Sequence, residues 1–93
     1  MIKTFGDAAT ERFYRTGKSR RFSPDILKRA TKRLTQLDAA TVVEDLRMPP
    51  SNRLEALSGE RHGQWSIRVN DQWRVCFRFV NGNAYDVVII DYH

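Results

Sequence analysis

The chain ends in a strand-like apolar run followed by three residues that can exchange protons or donate hydrogen bonds. In the segment VVIIDYH, Asp91, Tyr92 and His93 directly follow Ile90. Chain ends usually fray, so a polar tail of little consequence is the default interpretation. However, aspartate, tyrosine and histidine are also side-chain types that serve as general acids and bases. The end of the chain is therefore a candidate catalytic edge.

Two arginines are predicted to face each other beside this edge. Apolar and polar residues alternate through QWSIRV and again through WRVCFRF, which is typical of antiparallel strands with one buried face. A three-residue loop, 70–72, keeps both apolar sets on one side and places Arg68 directly opposite Arg74 on the other. Like charges repel in that position, so either both side chains splay into solvent or an anion bridges them. If an anion bridges them, replacing Arg74 should cost activity while stability changes little, because repulsion is relieved.

The next hairpin is predicted to add a hydroxyl to this patch. With the same loop length at 81–83, Arg78 pairs with Asp86 across the strands as an ordinary ion pair. The same register puts Tyr92 on the face that carries Arg68 and Arg74. The terminal residues would then complete a cationic, hydroxyl-bearing patch on one side of the sheet.

Such a patch suits the cleavage of a phosphodiester without a metal ion. The reaction needs a base, an acid and positive donors for the charge on the transition state. His93 and Tyr92 could handle protons, and Arg74 and Arg68 could hold the phosphate. RNA is the easier substrate because its 2′-hydroxyl is an internal nucleophile.

The composition gives no sign of another chemistry. With two histidines and one cysteine there is no metal-ligand cluster of recognisable spacing, and no phosphate-binding or nucleophile-elbow motif is present. We therefore predict neither a metal nor a cofactor. Cys76 lies in mid-strand and is expected to be a small, partly buried structural thiol.

Size and charge favour one small domain with a polyanionic partner. The 93 residues, 1–93, suffice for one modest core, and the formal net charge is +5. Twelve of the sixteen cations are arginine, whose planar fork suits phosphate, although an acidic protein would also fit. Lys18, Arg20 and Arg21 form a basic loop that is either solvated or in contact with a nucleic-acid backbone. The apolar runs are too short to span a bilayer and no secretion signal is recognisable, which indicates a cytoplasmic protein without membrane contact.

The elements that position these residues are helices first and strands afterwards. Asp7 is predicted to cap a brief helix that ends at Gly17, and MIKTF before it is a possible edge strand. Ser23, with its hydroxyl as cap, and Pro24 begin a second helix. Its apolar stripe is Leu27, Ala30, Leu34 and Leu37. A connector broken at 49–52 leads to the antiparallel strands, which gives an α+β protein.

The segment NRLEALSGERHGQWSIRVNDQWRVCF, together with the terminal DYH, resembles HigB-type toxins of bacterial toxin–antitoxin modules in the RelE/ParE superfamily. The resemblance implies two N-terminal helices packed on one face of a twisted antiparallel sheet. It also implies ribosome-dependent mRNA cleavage, and neutralisation by a helix-turn-helix, HigA-like antitoxin whose complex binds operator DNA. Carried over residue by residue, Arg74 matches the phosphate-stabilising arginine, His93 and Tyr92 the proton-transfer and substrate-orienting pair, and Asp91 the acidic residue beside them. The predicted substrate-binding residues are Arg53, Arg68, Lys18, Arg20 and Arg21.

The sequence departs from the founding type at LEALSG. That type has His and Lys near Glu55 and Ser58, whereas a GraT-like branch has a similar RLESLSG. The alternative function is therefore a non-catalytic or weakly catalytic toxin that binds the ribosome or another target, such as a topoisomerase. A binder has no need of His93, whereas a nuclease does. A plain RNA-binding module would need stacking aromatic residues on the polar sheet face, and apart from Tyr92 these are not recognisable.

Overall fold

The computed structural model describes residues 1–91 and has two helices followed by a four-stranded antiparallel sheet. The helices are α1 (Ala8–Thr16) and α2 (Pro24–Ala39), and the strands are β1 (Glu55–Ala56), β2 (Trp65–Arg68), β3 (Trp73–Val80) and β4 (Asn83–Asp91). Short 3-10 turns occupy Val43–Arg47, Pro50–Asn52 and Gly59–Arg61. The strand order is β1-β2-β3-β4. This confirms the predicted α+β class. Tyr92 and His93 lie outside the described residues.

The helix boundaries follow from local capping chemistry. The Asp7 carboxylate accepts a hydrogen bond from the Thr10 amide at 2.8 Å, and α1 ends at Gly17, whose φ of 73° is left-handed. The first helix is therefore bounded as predicted. At α2 the predicted hydroxyl cap is wrong, because the Ser23 side chain makes no capping hydrogen bond. Pro24 sets the backbone angle of the first helical residue instead, and the Ser23 carbonyl accepts from the Ile26 amide at 3.1 Å.

Both helices pack on the same face of the sheet. Ala30, Leu34 and Leu37 of the predicted apolar stripe of α2 are buried as expected. Leu27 is only partly buried, and its neighbour Ile26, which was not part of the predicted stripe, is fully buried instead. Alternate side chains of the strands, those on one face of the sheet, pack against this stripe. The shared core includes Phe13, Ala30, Leu34, Leu37, Ile67, Val75, Phe77, Val87 and Ile89. The opposite face carries a smaller apolar cluster of Leu57, Cys76 and Val88, with Ile90 against it. That second face is the one on which the candidate site lies.

The β2–β3 hairpin has the predicted register. The Val69 amide donates to the Trp73 carbonyl at 2.9 Å, and Arg68 pairs directly with Arg74. The Asn70 side chain stabilises the three-residue loop, 70–72, between β2 and β3: its Oδ1 accepts a hydrogen bond from the Trp73 amide at 2.8 Å. The apolar alternation was therefore sufficient to place the two arginines opposite each other.

The predicted three-residue loop of the β3–β4 hairpin is wrong. The turn has two residues, and a bulge further along β4 restores the predicted register. Asn81 and Gly82 form a two-residue turn with φ of 50° and 80°, as a type I′ turn requires. The register then shifts by one residue where Asp86, at φ of 55°, bulges out of β4. Beyond the bulge Arg74 pairs with Ile90, which is the register that the three-residue loop predicted. Although Arg78 is paired with Tyr85 instead of Asp86, its guanidinium still reaches the Asp86 carboxylate at 3.4 Å.

The N-terminal segment covers the outer edge of β4. It runs parallel to the strand through the bridges Ile2–Ala84 and Phe5–Val87, so the predicted edge strand is reduced to two isolated pairings. Further along the edge, the buried Thr10 hydroxyl accepts a hydrogen bond from the Ile89 amide at 3.1 Å. These contacts satisfy backbone groups that an open edge would leave unpaired. Among residues 1–91 no helix is long and apolar enough to cross a membrane.

Candidate active site

Arg74 is buried, and within residues 1–91 three oxygen atoms contact its guanidinium. Its Nε donates to Ser66 Oγ at 2.8 Å, and Nη2 donates to the Arg53 carbonyl at 2.7 Å. The same Nη2 lies 3.1 Å from Glu55 Oε1, and the residue as a whole is 8% exposed. The interpretation in which this side chain splays into solvent is therefore wrong. The expectation that removing it would relieve repulsion at little cost in stability also loses its basis, because Ser66 and the Arg53 carbonyl would lose their partner.

The connector before β1 presents the Arg53 carbonyl to Arg74. Asn52 is fully buried, and its Nδ2 donates to Gln36 Oε1 on α2 at 2.9 Å and to the Leu46 carbonyl at 3.1 Å. Arg53 follows with a left-handed φ of 44°, which turns the chain into β1. Asn52 thus ties the long helix to the segment that orients Arg74.

Arg68 reaches a different partner from Arg74. Its guanidinium forms an ion pair with Asp71 in the hairpin loop, and the Arg68 carbonyl accepts from Arg33 Nε at 2.9 Å. Burial lowers the pKa of Arg33, and the neighbouring positive charges of Arg29 and Arg68 lower it further. Asp71 and Glu55 thus each compensate one of the two opposed arginines.

Glu55 is a functional candidate that the sequence patterns did not reveal. It pairs with Ser66 in the sheet, which brings its carboxylate onto the Arg74 face, where the side chain is 52% exposed. Sequence comparison marked Glu55 only as a departure from the founding type. Its contact with Arg74 could not be foreseen, because a two-residue strand such as β1 has no readable periodicity.

A cluster of apolar side chains lies on the same face of the sheet as these polar groups. Cys76 is fully buried and packs with Leu57 and Val88, with Ile90 against them. Burial raises the pKa of the Cys76 thiol, and this outweighs the opposing effect of nearby arginines. Cys76 is therefore a protonated structural thiol, as expected.

Asp91 lies on the opposite side of the sheet from Arg74. It pairs with Trp73, whereas Arg74 pairs with Ile90, and successive strand residues point to opposite faces. The Asp91 carboxylate accepts a hydrogen bond from Gln72 Nε2 at 3.0 Å. The structure therefore does not bring the Asp91 side chain to the Arg74 face. The predictions for Tyr92 and His93 fall outside the described residues.

The predicted basic loop lies on the helix side of the same end of the sheet. Arg21 forms an ion pair with Asp7 at 2.7 Å and lies over the Phe22 ring at 5.5 Å. The Phe22 ring packs edge-on against Trp73, with centroids 5.2 Å apart. Lys18 and Arg20 are exposed. The loop residues are thus separated from Arg74 by this aromatic pair.

Within residues 1–91, no three histidine, cysteine, aspartate or glutamate side chains come together in a way that could hold a metal ion. The polar groups on this face include the fixed guanidinium of Arg74, the Glu55 carboxylate and the Ser66 hydroxyl. Arg68, paired with Arg74 across the strands, adds a second guanidinium. A guanidinium can bind phosphate oxygens, and a half-exposed carboxylate can accept a proton.

The sequence of this chain is similar to known toxins. A family model described as the RelE-like toxin of type II toxin-antitoxin system HigB matches residues 3–93. Toxin HigB-1 of Vibrio cholerae is 41% identical over 90 residues, which cover 96% of this chain and 95% of that protein. Endoribonuclease HigB of Proteus vulgaris is 34% identical over 93 residues, which cover 100% of both chains.

Solved structures share the fold at low identity. The YoeB-YefM complex from Staphylococcus aureus superposes with a TM-score of 0.63 at 14% identity, covering 100% of this chain and 98% of the matched one. YafQ from E. coli strain BL21(DE3) gives a TM-score of 0.57 at 11% identity, covering 98% and 93%. With the family match spanning nearly its whole length, the chain belongs to the RelE-like HigB toxins of type II toxin–antitoxin systems.

Proposed function

We propose that this protein is a ribosome-dependent endoribonuclease that cleaves mRNA and so inhibits translation and growth. The observation that supports it best is the Arg74–Glu55 pair: a guanidinium fixed by Ser66 and the Arg53 carbonyl stands 3.1 Å from a half-exposed carboxylate. A positioned cation beside a base is what cleavage through an RNA 2′-hydroxyl requires. The relative named Endoribonuclease HigB supports the same reaction class.

In the proposed reaction, Glu55 accepts the proton of the 2′-hydroxyl and the freed oxygen attacks the adjacent phosphorus. Negative charge grows on the phosphate oxygens and Arg74 stabilises it. The bond from phosphorus to the 5′-oxygen then breaks, and the leaving oxygen takes a proton from His93. The products are a 2′,3′-cyclic phosphate and a 5′-hydroxyl.

The other predicted residues take supporting roles. Tyr92 orients the substrate beside His93, and Arg68 adds a second positive charge next to Arg74. Because Asp91 lies on the opposite face and accepts from Gln72, we assign it the positioning of the chain end instead of contact with RNA. Arg53 contributes its carbonyl to Arg74, and its exposed side chain is available to the RNA backbone.

The proposed partners follow from the family. An antitoxin of the helix-turn-helix, HigA-like kind would neutralise the protein in the cytoplasm, and their complex would bind operator DNA. The S. aureus YoeB neighbour is described as a complex with YefM, which supports a protein partner for this fold. Co-expression with a helix-turn-helix protein encoded beside it should yield a complex that survives purification.

Replacing Glu55 by Gln tests the proposed base, with Glu60→Gln as the matched control. Both residues are exposed carboxylates of the same segment, but only Glu55 forms an ion pair with Arg74. We expect Glu55→Gln to slow mRNA cleavage on translating ribosomes by about 10²–10⁴, the usual contribution of one general base. Ribosome binding should be unchanged in both variants.

Equal cleavage rates in the two variants would remove Glu55 from the mechanism. Undiminished growth inhibition by a variant that no longer cleaves mRNA would favour the alternative, a toxin that acts by binding alone.

A further inference from the structure

A cationic cleft lies between α1 and the loop that follows it. Its volume is about 400 Å³, and it is lined by Ala9, Arg12, Lys18, Ser19, Arg20 and Arg21. Four of these six residues are positively charged and none is acidic. Arg12, which comes from the helix, was not among the residues predicted from the sequence. Basic residues from two separate segments thus line one concavity.

The loop that forms the cleft is held in place by its own hydrogen bonds. Ser19 Oγ accepts from the amides of Arg21 at 3.0 Å and Phe22 at 3.1 Å, and the Lys18 amide donates to Thr16 Oγ1 at 3.2 Å. Arg21 is anchored to Asp7. A ligand would therefore meet cations whose backbone is already ordered, which lowers the entropic cost of binding.

Most of the charge in the cleft is not neutralised within the part of the chain that the structure describes. Within residues 1–91, Arg21 is compensated by Asp7, whereas Arg12, Lys18 and Arg20 have no carboxylate within ion-pair distance. Three uncompensated cations around one concavity attract an anion with several charges, and guanidinium groups favour phosphate.

The cleft adjoins the end of the sheet that carries the candidate active site. Phe22 follows its last lining residue and packs edge-on against Trp73, which precedes Arg74 in β3. Trp73 also pairs with Asp91 at the end of β4. The cleft and Arg74 therefore lie at the same end of the sheet, on opposite faces.

We infer that this cleft binds backbone phosphates of RNA other than the one that is cleaved. The inference rests on the proposed function, since it assigns a second contact to the same substrate or its ribosome. The phosphates come either from the mRNA that flanks the cleaved bond or from ribosomal RNA. Both sources offer the same chemistry, and binding assays can separate them.

The test compares two triple variants of the full chain that each remove three positive charges. One replaces Arg12, Lys18 and Arg20 by Ala in the cleft, and the control replaces Lys28, Arg29 and Lys32 by Ala on the exposed side of α2. The probe is a short 2′-O-methyl RNA, which lacks the attacking hydroxyl, titrated by fluorescence anisotropy at several salt concentrations. Binding to intact ribosomes is followed by co-sedimentation.

If the cleft binds mRNA, the cleft variant should lower the slope of log Kd against log salt by about 2, because each phosphate contact on a single strand contributes roughly 0.7. The control should change it much less. Arg20→Ala alone should lower it by about 0.7. Loss of ribosome binding with unchanged oligomer binding would instead assign the cleft to ribosomal RNA.

The inference is overturned if both triple variants lose binding equally, which would indicate net charge alone. It is also overturned if the cleft variant binds oligomer and ribosome like the unmodified protein. Circular dichroism shows whether the variants are folded. The proposed nuclease activity is tested separately at Glu55 and survives either outcome.

Discussion

Replacing Arg74 by Ala should destabilise the protein as well as inactivate it. The side chain is 8% exposed and holds Ser66 Oγ at 2.8 Å and the Arg53 carbonyl at 2.7 Å. Hydrogen bonds to a charged group contribute about 1.5–3 kcal/mol each, and a buried oxygen left without a donor costs about 1–3 kcal/mol. Glu55 is 52% exposed, so its ion pair adds little after solvent screening.

The contributions are not additive, so we expect a loss of about 2–4 kcal/mol in the free energy of unfolding. For a domain of this size 1 kcal/mol corresponds to roughly 4–8 °C, so Tm should fall by at least about 8 °C. Relief of the repulsion from Arg68 opposes this by less than about 1 kcal/mol. The net effect should therefore be destabilising.

The measurement is thermal and urea unfolding, followed by circular dichroism, of protein made by cell-free synthesis. Ser66→Ala and the double variant complete a double-mutant cycle, in which we expect a coupling of about 0.5–3 kcal/mol between the two side chains. An unchanged Tm for Arg74→Ala would refute the reasoning, since it would mean that these contacts contribute no net stability. Cleavage rates of the variant should be compared at a temperature where unfolding curves show it to be folded.

Two further predictions concern the residues that position the site and its basic loop. Asn52→Ala should lower the free energy of unfolding by about 2–3 kcal/mol in urea titrations, because the buried Leu46 carbonyl and the partly buried side-chain oxygen Oε1 of Gln36 lose their donor; stability equal to the unmodified protein would contradict this role. For Asp7, burial tends to raise the pKa, but hydrogen bonds from Thr10 and the ion pair with Arg21 lower it below 3.8. Its stabilising effect is therefore complete above that value and is lost as pH falls through the lower folded-state pKa. The stability difference between the unmodified protein and Asp7→Asn, expected to be below about 1 kcal/mol near neutral pH, should vanish in acid, and a difference that grows in acid would contradict the assignment.

Alternation of apolar residues was enough to predict the pairing of Arg68 with Arg74. A buried sheet face specifies register strongly, because a slip by one residue would turn every apolar side chain outwards. The same alternation could not reveal the bulge at Asp86. A two-residue turn followed by a one-residue bulge gives the same final register as a three-residue loop, so parity does not distinguish them.

The surroundings of Arg74 could not be predicted because they depend on distant parts of the chain. Its partners lie on β1, on β2 and at the end of the connector, 21 residues before it in the case of Arg53. Which oxygen atoms meet it depends on how Asn52 ties that connector to α2. Local pattern carries no information about such contacts, and for the same reason Arg12 was missed as a partner of the basic loop.

Deletion of His93 is the most direct test of acid–base cleavage of RNA by this protein. Translating ribosomes programmed with a defined mRNA are treated with the unmodified protein or the deletion variant. The new 5′ ends are mapped by primer extension, and the new 3′ ends are identified by mass spectrometry. We expect the unmodified protein to produce fragments with 2′,3′-cyclic phosphate ends. Without His93 the rate should fall by about 10²–10⁴, the usual contribution of one general acid. Cleavage at an undiminished rate, or fragments without a cyclic phosphate, would contradict the mechanism.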